Sequence, residues 1–163
     1  MAVLLPQIGA VDLAKYILAV QGPMSHLKLQ KLVYYVDAWH LVFNEKALVP
    51  EDFKAWVHGP VCVPLWHAIK DFSTLNGEVQ VKADHKDPVI KKVESKLGSD
   101  QLALIKDVLK EYGDKPAHHL ENLTHAELPW KEARGGLPAN EHSTTKIKKS
   151  TMKSYYRSRL PNG

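Results

Sequence analysis

The stretch that decides the fold is HLKLQKLVYYVDAWHLVFN, residues 26–44. Leu29, Leu32, Val33, Val36, Trp39 and Phe43 recur at helical spacing, and Tyr35, Ala38 and Val42 form a second stripe beside them. The remaining polar strip of Gln30, Asp37, His40 and Asn44 is narrow. A helix apolar around most of its circumference belongs inside a bundle, so residues 27–43 are expected to form a central buried helix. Ser25 precedes it as a natural N-cap, and Gly22-Pro23 separates it from an earlier helix carrying Leu13, Ala14, Ile17, Leu18 and Val20.

Downstream, Phe53, Ala55 and Val57 alternate with polar or amphipathic neighbours, as do Val79, Val81 and Ala83. These predict at most a small two-stranded β element, with about 53–57 pairing with 79–83. Between them Pro64 opens a helix bearing Leu65, Trp66, Ile69 and Phe72. Asp87-Pro88 opens another helix, Ser99 caps the next, and Pro116 and Pro129 start two short ones. A last basic helix is expected over about 144–160, capped by Thr144 or Ser150. The expectation is a mainly α, compact multi-helix bundle of about seven helices, with residues 1–163 forming a single domain.

Composition narrows the setting. One cysteine, Cys62, excludes an internal disulfide framework, and no stretch approaches the roughly 20 apolar residues that span a bilayer. The N-terminal MAVLLPQIGAVDLAKYILAVQ lacks a basic start and is broken by Asp12 and Lys15, so it reads as neither export signal nor anchor. A cytoplasmic protein without a membrane association is expected. The net charge of +4 permits an acidic partner without requiring one.

Several constellations invite a chemical reading. His118, His119 and His125 lie near Glu121 and Glu127, but adjacent helical side chains diverge by about 100°, and no metal-ligand spacing is present. Cys62 and His58 form a nucleophile–base pair on paper, while the surrounding Val61, Val63 and Pro64 favour an inert buried thiol. No phosphate-cradling glycine loop occurs. Neither a catalytic residue, a metal nor a cofactor is assigned. Lys146, Lys149, Lys153 and Arg157 recur at helical spacing among Tyr155 and Tyr156, a pattern that either grips nucleic acid or simply solvates a terminal helix.

Three segments in order carry a resemblance: LKLQKLVYYVDAWHL (27–41), FKAWVHGPVCVPLW (53–66) and LTHAELPWKEARGG (123–136). Together they resemble the Panacea domain, the antitoxin family with SocA-like and GepA-like phage-associated members. The motif falls on Lys28, Leu29, Gln30, Lys31, Leu32, Tyr34 and Tyr35; then on Trp56, His58, Gly59, Pro60 and Val61; then on His125, Pro129, Trp130 and Arg134. Trp66 stands where a tyrosine is more usual.

The resemblance implies a bacterial or prophage antitoxin that binds and neutralises a cognate toxin protein, in some members by delivering it to a cytosolic protease. Most motif residues are expected to set the fold. Lys28, Lys31, Tyr35 and His58 are the expected toxin contacts, because they sit on the rim of the central helix or in the nearby turn. The alternatives are a DNA-binding, autoregulatory protein using the basic tail and, further off, a Cys-His hydrolase. Oligomeric state and the toxin's identity are left open.

Overall fold

The computed structural model describes residues 5–70 and 77–161. Helix α1 (Ala10–Gln21) begins after Gly9, where the backbone N–H of Ala10 donates to Glu51 Oε1 at 3.1 Å. It stops at Gly22, whose φ of 97° suits a residue without Cβ. Strand β1 (Met24–Ser25) leads directly into α2 (His26–Asn44), where Ser25 Oγ accepts from the Lys28 N–H at 3.2 Å. The expected cap is therefore present and satisfies one of the open donors of the first turn.

Of the nineteen residues of α2, fifteen are buried. Helix α1, helix α5 (Ser99–Tyr112), helix α6 (Ala117–Ala126) and helix α8 (Lys149–Ser158) all pack against it. The central position expected from the periodicity is what the structure shows. Helix α3 (Val63–Ile69) and helix α4 (Lys86–Lys96) pack on α1, while α7 (Leu128–Arg134) joins α6 to α8. The molecule is mainly α, with eight α-helices and one short 3-10 turn (Ala83–His85) among the described residues.

The β structure differs from the expected pairing. Strand β2 (Lys54–Trp56) pairs antiparallel with β3 (Gly59–Val61), and strand β4 (Glu78–Val79) pairs with β1. Residues 53–57 and 79–83 do not meet. The Val57-His58 connection is short enough for β2 to fold straight back on the next three residues, so the nearest neighbour in sequence takes its edge. The other edge of β2 is also occupied: the Ala55 N–H donates to Thr145 O, and the Ile147 N–H donates to Phe53 O. Residues 144–148 are thus extended, and α8 is shorter than the 144–160 helix expected. The register seats Ile147, fully buried, in the core. One smaller difference is that Gly98, not Ser99, precedes α5. Phe72, expected in α3, lies outside the described residues.

Candidate functional site

The polar residues of α2 point inward. Asp37, with a fully buried side chain, accepts from the backbone N–H groups of Leu48 (2.8 Å) and Val49 (3.1 Å) through Oδ1, and from Lys149 Nζ (2.7 Å) through Oδ2. The Lys149 amine also donates to Val49 O at 3.0 Å and lies over the Phe53 ring. Gln30 Oε1 accepts from the Cys62 N–H at 2.9 Å, and Gln101 Nε2 bridges His40 and Pro6 O. The bonds of Asp37, Gln30 and His40 fasten the central helix to distant loops and helices. A buried polar group without such a partner would be strongly destabilising.

A second cluster surrounds Tyr35. The Tyr35 and Tyr156 hydroxyls both donate to Glu127 Oε1 at 2.7 Å. Each phenol has one proton, so across the 3.1 Å Tyr34–Tyr156 contact Tyr34 is the donor. Tyr35 stacks on Tyr112 at 4.2 Å, and Tyr112 accepts from Trp39 Nε1 at 3.0 Å. Burial raises the Glu127 carboxyl above its usual range, partly offset by the two hydroxyl donors. Burial likewise raises the phenols of Tyr34, Tyr35 and Tyr156.

The third cluster is the β2–β3 hairpin. Lys31 is fully buried, with its amine donating to Pro60 O at 3.1 Å, and burial pushes its pKa down to about 7 against a smaller opposing pull from Glu121. Gly59 has φ 105°, and a Cβ there would lie 2.5 Å from Lys31 Cε and 2.8 Å from Thr124 Oγ1. Only glycine lets the hairpin close onto the lysine. Trp130 Nε1 donates to Trp56 O at 2.9 Å, and its ring stacks on His125 at 4.0 Å. Arg134 lies over the Trp130 ring at 5.0 Å and donates to the carbonyls of Ala55, Pro138, Ala139 and Glu141. The three motif segments thus converge on one another: α2, the hairpin and the α6–α7 junction.

The structure corrects the placement of two expected contact residues. Lys31 and Tyr35 lie in the interior, at 0% exposure, and present no surface to a partner. Lys28 is half-buried, and His58 is exposed with Nδ1 3.1 Å from Glu121 Oε1. The periodicity left both interior residues on the rim because their interior partners, Pro60 O and Glu127, come from elsewhere in the chain. Of the remaining motif residues, Leu29, Leu32, Tyr34, Val61, Pro129 and Trp130 are buried and Trp56 half-buried.

In the tail, each expected cation faces a carboxylate: Lys146 with Asp52 (3.9 Å), Lys149 with Asp37, and Lys153 (3.5 Å) and Arg157 (3.0 Å) with Glu45. Cys62 is buried, and its thiol is pushed up to about 11 by that burial, whereas His58 lies at the surface bonded to Glu121. Among the described residues, no group of three or more His, Cys, Asp or Glu is arranged to hold a metal ion. No helix among them is long and apolar enough to cross a membrane.

The motif residues clasp one another around a central helix. Residues 29–131 match the family described as antitoxin SocA-like, Panacea domain, and the chain belongs to that family. No curated protein and no solved structure matches the chain.

Proposed function

We propose that this chain is an antitoxin that neutralises a cognate toxin by direct protein–protein contact, using its outer surface and not a reactive centre. Membership of the SocA-like, Panacea-domain family over residues 29–131 carries this reading. In support, two buried ionisable groups of α2 are consumed by internal bonds: Asp37 by two amides and Lys149, Lys31 by Pro60 O. Lys28 and His58 are the contacts proposed from the motif, with Lys31 and Tyr35 shaping that face from beneath. The nucleic-acid reading draws less support, because the tail cations are set against Asp37, Glu45 and Asp52.

The test is co-expression with the product of the adjacent reading frame. Growth is expected to recover from that product's toxicity when this chain is present, and the two proteins to elute together. Continued growth arrest with both proteins soluble would contradict the proposal.

A further inference from the structure

The C-terminal end of α2 carries an uncovered aromatic. Phe43 is 58% exposed, the most open large apolar side chain among the described residues, although it belongs to the same stripe as the buried Leu29 and Leu32. It stacks on Trp39 at 6.0 Å, and Trp39 is tied to Tyr112. These three aromatics line a groove of about 810 Å³ between the end of α2 and α5, to which Leu160 also contributes.

The rim is of one sign. Asp100, Asp107 and Glu111 all line the groove from α5 and are exposed, while none of the lining residues is a Lys or Arg. Their spacing of i, i+7 and i+11 puts them along one face over about 17 Å. This is a local excess of negative charge on a chain whose net charge is +4. Lys106 and Lys110 of the same helix are not among the lining residues. An aromatic lining with an acidic wall matches a helix that is apolar on one face and basic beside it.

We infer that this groove docks an amphipathic, Lys/Arg-flanked helical segment of the toxin. The inference rests on the toxin-binding reading above and adds where and by what chemistry the partner is held. Trp39, Phe43 and Tyr112 take its apolar side chains, and Asp100, Asp107 and Glu111 face its cations. Salt weakens the charged part and leaves the apolar part.

Calorimetry with a synthetic probe separates this inference from the wider function. The probe is a capped Leu/Lys peptide of about 14 residues, with Leu at helical spacing. A Leu/Glu counterpart is the control. The full chain is expected to bind the Lys peptide and not the Glu peptide. Phe43→Ser is expected to weaken that binding by at least about tenfold, and Asp107→Lys with Glu111→Lys to reverse the preference. Asp84→Lys, on the surface outside the groove, is expected to change nothing. All four substituted positions are exposed, so the fold is retained, with circular dichroism as the check.

Equal binding of both peptides, or binding indifferent to Phe43→Ser, would overturn the inference. So would concentration-dependent self-association lost in Phe43→Ser, which would assign the groove to a second copy of this chain. If the same variants still rescue growth as the unaltered chain does, the groove assignment fails while the antitoxin reading stands. If the unaltered chain never rescues, the failure lies in that reading and the inference falls with it.

Discussion

Replacing Asp37 by alanine is expected to destabilise the chain by about 3–5 kcal/mol, the usual cost of removing one partner of a buried ion pair. The side chain is fully buried and accepts three bonds, from two backbone amides and the Lys149 amine. Alanine leaves all three donors without their acceptor, and only Lys149, at 21% side-chain exposure, has access to water. The melting temperature should fall by about 10 °C or more for a chain of this size. Asp37→Asn keeps an acceptor for the amides and loses the charge, so it should fall between. Urea denaturation measures both. A loss below about 1 kcal/mol for Asp37→Ala would show that α2 is not tied to Val49 and α8 in this way.

The second large effect is a dependence of stability on pH. Buried Lys31 has a folded pKa of about 7, against an ordinary value of 10.5. Between those values the unfolded chain binds a proton that the folded chain does not, so stability rises with pH across this window. Below about 7 both states carry the proton and the contribution is constant.

Other buried groups bound the window. Burial holds His26 at about 4, so stability is also lost as the pH falls from 6.5 towards 4. Cys62, raised from 9.0 to about 11, opposes Lys31 above pH 9, and the buried tyrosines do so above pH 10. The clean rise therefore lies between pH 7 and 9, at up to about 1.4 kcal/mol per pH unit. Lys31→Met should abolish that slope while leaving the loss on the acid side. A slope that survives in Lys31→Met would assign it to other groups.

These two residues mark how far the sequence could be read. Apolar spacing located α2 and its burial because Leu29, Leu32, Val33 and Val36 repeat with the helical period, and Ser25 and Gly22 punctuated it. Local signals of this kind reach only a few residues. The partners of the polar strip are far along the chain: Cys62 for Gln30, Leu48, Val49 and Lys149 for Asp37, Gln101 for His40. No periodicity reports them.

The same gap put Lys31 and Tyr35 on the rim, since long amphipathic side chains fit either an interior with a polar partner or a surface. Alternation located β2 without its partner; of the strand expected over 79–83 only Val79 is in a strand, and Ala83 belongs to the 3-10 turn, while the motif GPV, which has no alternation, pairs with β2. Phe43 was read with the core stripe, and is exposed because it lines an open groove beside α5 instead of packing under it. The groove it lines with α5 arises from two segments that are each ordinary amphipathic helix in sequence.

On the proposed reading this chain acts by occupancy: it holds a toxin and is not itself a catalyst acting on one. The most direct test titrates the purified toxin's own activity with the purified chain. Activity is expected to fall linearly to a break at a whole-number molar ratio, with the toxin recovered intact and active after the complex is dissociated in denaturant and refolded. Complete inactivation by a small fraction of an equivalent, or toxin that stays inactive once separated, would contradict it.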